Sequence, residues 1–195
     1  GKLIPMLQTN RGCPFSCTFC TDGKADVNKV NSFGVERIKR ELQYIGNNIP
    51  ESTHNLYISD LNFGMYEKDL DICRTIRQLQ KKLQWPKRII ASTGKNRKER
   101  VIEAIKILDG TLLLSMSVQS LDENVLVNVK RDNISLDTMM SLAPAINQSN
   151  LSTFSEVIVG LPGETYQSHL NTIKGLVNAK IDFVKTFSLM LLMGS

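Results

Sequence analysis

The sequence has little of what marks a membrane, secreted or fibrous protein. None of its apolar runs approaches the ~18 residues that read as a membrane span. No basic-then-apolar leader opens the chain, so we expect a cytoplasmic protein without a membrane partner. Aromatic residues make up only 6% and charged residues 22% of the 195 residues, which fits neither a disordered nor a fibrous chain. With 42% hydrophobic residues, the chain can bury a core of its own.

Cysteine is also scarce, because the chain has only four. A disulfide scaffold of this size would need more cysteines, spread more evenly. Cys13, Cys17 and Cys20 lie close together in sequence, whereas Cys73 is distant from them. Such a cluster, in a chain without an export signal, indicates a metal site in a reducing compartment.

Positive charge is in modest excess, with a net charge of +5 and a pI near 9.0. This balance permits an anionic partner without demanding one. The basic stretch at 81–106 contains few aromatics and is diluted by Glu99 and Glu103. A solvated helix face is therefore favoured over a nucleic-acid partner.

Short apolar runs alternate with stretches that have helical spacing, which predicts a parallel α/β fold. The predicted strands are residues 3–7, 55–59, 88–92, 111–118, 154–159 and 183–192. The predicted helical stretches are residues 35–45, 70–83, 101–108, 139–146 and 170–177.

Six strands with helices between them fit either an open doubly wound sheet or a TIM-like barrel, whole or partial. The first strand is not followed by Gly-x-Gly-x-x-Gly, which counts against a dinucleotide-binding domain. We expect one domain over residues 1–195. The sixth strand has no covering helix after it, so we expect the domain to be a truncated part of a longer protein with apolar surface exposed at 183–192.

The cysteines form the pattern Cys-x-x-x-Cys-x-x-Cys in a loop after the first predicted strand. In such a loop three thiolates can converge on one iron–sulfur cluster and leave one iron of a four-iron cube open. The alternatives are a structural zinc site or three reduced thiols. Three local ligands suit structural zinc poorly, and His54 and His169 are distant in sequence.

This motif, with Phe19 before its last cysteine, resembles the radical S-adenosylmethionine (radical SAM) superfamily. The resemblance implies that Cys13, Cys17 and Cys20 hold a 4Fe–4S cluster whose fourth iron binds SAM. It also implies a partial (β/α)6 barrel and an electron donor such as flavodoxin or ferredoxin. SAM would be cleaved reductively to a 5′-deoxyadenosyl radical, which abstracts hydrogen from an unknown substrate. Phe19 is expected to lie near the adenine.

The same resemblance assigns SAM-binding roles to residues that follow the predicted strands. Asp60 and Asn62 would accept hydrogen bonds from the SAM ammonium, although an Asx-turn that starts the next helix is an equal alternative. Gly160 and Gly163, in a Gly-Leu-Pro-Gly-Glu-Thr string, would allow close approach of the adenine.

Polar residues of the fourth predicted strand complete the expected site. Ser117 and Gln119 would alternate onto one face and contact the ribose, unless Ser120 or its neighbours only cap a helix. Arg131 would pair with the SAM carboxylate or be a solvated surface charge. Glu156 would face the barrel lumen or an outward position.

Residues 8–13, together with residues 60–63, are similar to radical SAM enzymes that carry an upstream cobalamin-binding domain. Cobalamin is therefore expected only through a domain absent from this sequence.

Three hypotheses for the function of the chain follow. The first hypothesis is a SAM-cleaving enzyme domain, with no catalytic residue assigned. The second is a non-catalytic iron–sulfur or zinc module for structure or interaction. The third is conventional SAM-dependent methyl transfer, which no glycine-rich loop in the sequence supports.

Cys73, on an apolar helical stripe, is expected to be a core residue rather than a ligand.

Overall fold

The computed structural model describes residues 3–115, 117–133, 137, 140 and 153–191. The Cα packing divides the chain into two compact units. The first comprises Gly1–Arg11 and Val30–Leu114, and the second comprises Gly12–Lys29 and Ser115–Ser195.

The elements of the first unit are β1 (Met6–Leu7), β2 (Asn10–Arg11), β3 (Asn31–Ser32), α1 (Val35–Asn48), β4 (Asn55–Phe63), α2 (Glu67–Leu83), β5 (Arg88–Thr93) and α3 (Lys98–Ile107). The unit is built on a parallel sheet with the strand order β1-β4-β5. A separate antiparallel pair is formed by β2 and β3.

The core of the first unit follows the two periodicities that the sequence shows. In β4, Leu56 and Ile58 are fully buried while Tyr57 between them is exposed, as the alternation of a strand requires. On α1, Ile38 and Leu42 are buried at helical spacing. Cys73 is fully buried on α2, where burial raises the pKa of its thiol, and this confirms its placement in the core.

The elements of the second unit are β6 (Leu114–Ser115, at the junction of the units in sequence), α4 (Glu123–Asn128), β7 (Thr153–Val159), α5 (Tyr166–Asn178) and β8 (Phe183–Ser188). A short 3-10 helix, Thr21–Gly23, lies in the cysteine loop. The strands form a sheet with the order β6-β7-β8, and β7 pairs with β8 in parallel from Phe154↔Phe183 to Val159↔Ser188.

The α/β class and the parallel strands confirm the predicted fold class, and several elements differ from expectation. The fourth predicted strand shrinks to β6, and β4 continues beyond residue 59 to Phe63, with a register shift between Ile58 and Phe63. Helix α4 was not predicted, because six residues are too few to show an apolar period. The stretch predicted as helix at 139–146 lies outside the described residues apart from Met140.

The last described segment leaves apolar side chains exposed, as expected for 183–192. Phe183, Phe187, Met190 and Leu191 are all exposed, and Leu191 is 94% exposed. Among the described residues, no helix is long and apolar enough to cross a membrane.

Candidate functional site

The cysteine loop is folded by successive tight turns within the second unit. The Cys20 amide donates to the Cys17 carbonyl at 3.1 Å, and the Gly23 amide donates to the Cys20 carbonyl at 3.0 Å. Cys13 and Cys17 are buried, Cys20 is half-buried, and none of the three is in a disulfide. The loop therefore holds three thiols outside any disulfide, two of them buried.

Gly12 closes the loop at a point where no side chain fits. Its φ is +93°, in the left-handed region, and a Cβ there would overlap the Lys29 carbonyl oxygen. Lys29 is the last residue before the chain returns to the first unit. The glycine before the first cysteine thus brings the two ends of the loop together.

Gly12→Ala is expected to destabilise the protein by at least about 2 kcal/mol more than the control Gly160→Ala. Gly160 has a similar φ of +86°, but its Cβ would meet only the Leu189 Cβ, at 4.0 Å. Both variants carry the backbone strain, and only Gly12→Ala adds an overlap with a backbone oxygen. Urea unfolding of the two variants measures the difference, and equal losses would contradict this account of the loop.

The loop docks on α4 and on the turn after β7 through one backbone hydrogen bond and one apolar cluster. The Thr18 amide donates to the Val129 carbonyl at 3.0 Å. Phe19 packs against the buried cluster of Val125, Val129 and Leu161. Since Leu161 belongs to the Gly-Leu-Pro-Gly turn, the cysteine loop and that turn pack on the same apolar residues.

The turn after β7 is held by its own side chains. Glu164 folds back so that its carboxylate accepts from the Gly160 amide at 2.6 Å, and it also contacts His169 Nδ1 at 3.0 Å. At Gly163 a Cβ would lie 2.6 Å from Asn128 Nδ2, and that amide donates to the Pro162 carbonyl at 3.0 Å. The space at Gly163 is therefore taken by Asn128, whereas Gly160 remains open. Sequence reasoning missed Glu164, although an acid four residues after a strand-ending glycine is a local signal.

Arg131 is buried, 5% exposed, so the interpretation as a solvated surface charge is wrong. Its guanidinium donates to the Ser117 carbonyl, to the Val118 carbonyl at 3.1 Å, and to Asn133 Oδ1 at 2.8 Å. Nη1 lies 3.8 Å from the Cys17 sulfur. Burial lowers the pKa of Arg131, and the negative charge of the three loop cysteines opposes that shift.

Ser117 and Gln119 both lie beside β7, though in different ways. The Ser117 hydroxyl donates to Glu156 Oε2 at 3.1 Å, which places the half-buried Glu156 carboxylate beside the fourth predicted strand. Gln119 has a φ of +67° and pairs through its backbone with Glu156 and Ile158. The extended alternation assumed for Ser117 and Gln119 therefore does not continue through Gln119.

The alternative that Ser120 or its neighbours cap a helix is confirmed, because the neighbouring Asp122, rather than Ser120, is the cap. The Ser120 hydroxyl accepts from the Asp122 amide at 3.1 Å. Asp122 is the N-cap of α4 and accepts from the Val125 amide at 3.1 Å.

Asp60 and Asn62 belong to the first unit, near the C-terminal end of β4, and both are buried. One Asp60 oxygen accepts from the Thr9 amide at 2.7 Å, and the other accepts from the Thr9 hydroxyl and from Asn10 Nδ2 at 2.9 Å. These donors are about fifty residues away, so Asp60 does not form the alternative Asx-turn. Its carboxylate ties β4 to the strand that leads into the cysteine loop.

Asp69, in the first turn of α2, is a second buried carboxylate that sequence reasoning missed. It accepts from the Gly64 amide at 2.9 Å, the Tyr66 amide at 3.1 Å and Asn10 Nδ2 at 3.3 Å. Burial raises its pKa to about 6, and the nearby Asp60 adds to the rise. The capping-box spacing of Tyr66 and Asp69 is the sequence signal that could have found it.

Cys13, Cys17 and Cys20 are the donors that a cluster would take. Among the residues that the structure describes, no three His, Cys, Asp or Glu side chains are grouped as ligands of a single metal ion. A four-iron cube needs a different grouping, because each cysteine binds a different iron and the sulfurs stand further apart. Three thiols outside any disulfide lie on one loop, and one of them, Cys17, is 3.8 Å from the buried guanidinium of Arg131, so the donors fit the soft thiolate ligands of an iron–sulfur cluster.

The fold and the site together define a class of protein, namely parallel α/β proteins in which a loop with three cysteines follows the first strand of the parallel sheet. The family model described as Radical SAM superfamily matches residues 7–176. The chain belongs to the radical SAM superfamily, which confirms the resemblance in its sequence.

Two curated relatives are similar to the chain in sequence, and one solved structure is similar to it in fold. It is 35% identical over 181 residues to the cobalamin-dependent radical SAM methyltransferase TokK of Streptomyces tokunonensis, and equally to the 2-(S-pantetheinyl)-carbapenam-3-carboxylate methyltransferase of Streptantibioticus cattleyicolor. Each match covers 91% of this chain and 26% of the relative, so the chain spans about a quarter of their length.

The solved structure is that of the radical SAM methyltransferase TsrM from Kitasatospora setae, with cobalamin and a [4Fe-4S] cluster bound. It matches with a TM-score of 0.79 at 12% identity, over 98% of this chain and 35% of that chain. At this identity the likeness shows the fold alone, and it agrees with the predicted parallel partial barrel.

Proposed function

We propose that residues 1–195 form the SAM-cleaving core domain of a radical SAM enzyme, in which Cys13, Cys17 and Cys20 hold a 4Fe–4S cluster. When bound there, such a cluster supplies one electron to SAM, whose carbon–sulfur bond breaks to give methionine and a 5′-deoxyadenosyl radical. The observation that carries the proposal is the loop with three cysteine thiols outside any disulfide, closed at Gly12 and docked through Phe19 on the turn after β7.

The residues around the loop are proposed to bind SAM as the family resemblance implies. Phe19 and the open side of Gly160 would contact the adenine, since an aromatic side chain and a glycine both admit a flat ring. Ser117 and Gln119, beside β7, would offer polar groups to the ribose. Gly163 contributes to this site by admitting Asn128, which braces the turn.

The ammonium and carboxylate of SAM need partners of opposite charge or of hydrogen-bonding capacity. Asn62 and Asp60 are proposed for the ammonium. Asp60 has already accepted three hydrogen bonds, and a carboxylate can accept about four. Asp60 is therefore expected to act mainly by fixing the end of β4. Arg131 is the proposed carboxylate partner, through guanidinium hydrogens that its protein acceptors leave over.

The names of the curated relatives favour methyl transfer as the reaction of the complete protein. Both relatives at 35% identity are named methyltransferases, and one of them is named cobalamin-dependent. Cobalamin would be bound by a part of the protein outside this chain, and the methyl acceptor is a substrate of unknown identity.

The complete protein is proposed to work in the cytoplasm, where thiols stay reduced. The electron is proposed to come from a small carrier such as flavodoxin or ferredoxin.

The proposal is tested by anaerobic reconstitution of the complete protein with iron and sulfide. About four irons and about four sulfides per chain are expected. The loaded protein should release 5′-deoxyadenosine from SAM only when a reductant is added. S-adenosylhomocysteine would accompany it if the reaction is methyl transfer. One bound zinc with no SAM cleavage would overturn the proposal in favour of a structural module.

A further inference from the structure

Arg131 carries a positive charge into a buried position, and the charges around it are unusual. Its hydrogen-bond partners are two backbone carbonyls, the Asn133 side-chain oxygen and the Cys17 sulfur. The Cys17 sulfur, 3.8 Å from Nη1, is the one partner among these that becomes negatively charged as a metal ligand. No Asp or Glu carboxylate of the described residues accepts a hydrogen bond from the guanidinium.

Arginine side chains are rarely buried without a partner of opposite charge, because removing a charge from water costs several kcal/mol. Most buried arginines meet that need with a carboxylate. Here the Cys17 sulfur takes the place of that carboxylate. A cysteine that ligates a cluster is a thiolate, so a loaded site would give the guanidinium a negative partner at this position.

The guanidinium cannot turn away from the loop, because its other sides are held. Nε donates to the Val118 carbonyl and Asn133 Oδ1, and Nη2 donates to the Ser117 carbonyl. Asn133 is itself fixed, since its amide donates to the Val118 and Ser120 carbonyls at 2.8 Å each. With those three directions occupied, Nη1 is left facing the Cys17 sulfur at 3.8 Å.

We propose that Arg131 is the fixed counter-charge of the cluster site: it positions Cys17 and stabilises the reduced cluster. The inference rests on the proposed function, since it assumes that the three cysteines hold a cluster. It assigns to the arginine a role toward the sulfur ligand, separate from any contact with SAM.

The physical consequence is a shift in reduction potential. Reduction adds one negative charge to the cluster, and a buried cation with a hydrogen bond to a ligand sulfur lowers the energy of that added charge. Removal of the cation therefore makes the cluster harder to reduce. A donor of given potential then reduces a smaller fraction of the enzyme.

The test is a redox titration of the reconstituted complete protein, without SAM, followed by electron paramagnetic resonance of the reduced cluster. Arg131→Gln is expected to lower the ratio of reduced to oxidised cluster about tenfold at a fixed potential, which is about 59 mV for one electron. Arg131→Lys keeps the positive charge but lacks the paired N–H donors of the planar guanidinium. A smaller shift of the reduction potential in the same direction is therefore expected.

Lys130→Gln is the matched control, because it removes the same charge from the neighbouring, exposed position. It should leave the potential unchanged. SAM affinity is measured on the same samples, and thermal melting confirms that each variant is folded.

A potential that is unshifted in the Arg131 variants that hold their cluster overturns the inference. So does an equal shift in Lys130→Gln, which would indicate a diffuse charge effect, or a loss of SAM affinity alone, which would make Arg131 a SAM ligand only. If the wild-type protein binds no cluster, the proposed function itself fails. A wild-type cluster with unshifted variants removes only this inference.

Discussion

Cys17→Ala is expected to abolish cluster binding and SAM cleavage in the complete protein. Cys17 is the most enclosed of the three loop thiols, and Arg131 donates toward its sulfur. With one thiolate removed, a site that already has only three cysteines keeps two, and about four irons per chain should fall to near zero after desalting. Iron and sulfide analysis, the visible absorbance of the cluster and 5′-deoxyadenosine release measure the loss.

Cys73→Ala is the control for that variant. Cys73 is equally buried but lies on α2 in the first unit, so its removal leaves a small cavity and costs about 1–2 kcal/mol of stability. Its iron content and SAM cleavage should match those of the wild type. If Cys17→Ala keeps its cluster, or Cys73→Ala loses it, the ligand assignment is wrong.

The second large effect is expected at Asp69, whose folded-state pKa of about 6 lies above its ordinary value of 3.8. The folded chain therefore holds its proton more tightly than the unfolded chain does. Between about pH 4 and about pH 6 the folded state binds more protons, so the free energy of unfolding falls as pH rises through this window. A shift of about two pKa units corresponds to about 3 kcal/mol of stability that is present below pH 4 and lost above pH 6.

Asp69→Asn tests this dependence, because an amide does not titrate in that window. One amide oxygen can still accept from the Gly64 and Tyr66 amides, so the turn after β4 is retained. Urea unfolding at pH 4 and at pH 7 should show that the variant lacks about 3 kcal/mol of the wild-type difference. Asp71→Asn, at an exposed position of the same helix, should keep the wild-type pH dependence. An unchanged pH dependence in Asp69→Asn would show that another group is responsible.

The sequence predicted the elements that are determined locally. The helix predicted at 170–177 lies within α5, and the strand predicted at 154–159 matches β7 to within one residue. These elements show a clear apolar period, and flanking turn residues mark their ends. The run at 111–118 is equally apolar, yet among its described residues only Leu114 and Ser115 form a strand. A strand requires a hydrogen-bonded neighbour, which an apolar run does not specify.

The residues of the candidate site also fall into two groups: those that local sequence predicts and those whose partners only the fold brings close. The cysteine spacing and Phe19 could be read directly, because ligands on one short loop are close wherever the loop goes. The burial of Arg131 could not, since its contact with Cys17 joins residues 114 positions apart. The role of Asp69 was hidden as well, because its partner Asn10 is 59 residues away.

The sequence alone determined that this chain is a parallel α/β protein with a three-thiol loop of the radical SAM pattern. The period of the hydrophobic residues and the spacing of the cysteines are properties of neighbouring residues, so both can be recognised without knowledge of the fold. Only the tertiary structure decided which groups face the buried charges: Thr9 and Asn10 donate to Asp60, and the Cys17 sulfur lies beside Arg131. The cost of burying a charge depends on the partner that folding brings to it, and no local pattern encodes that partner.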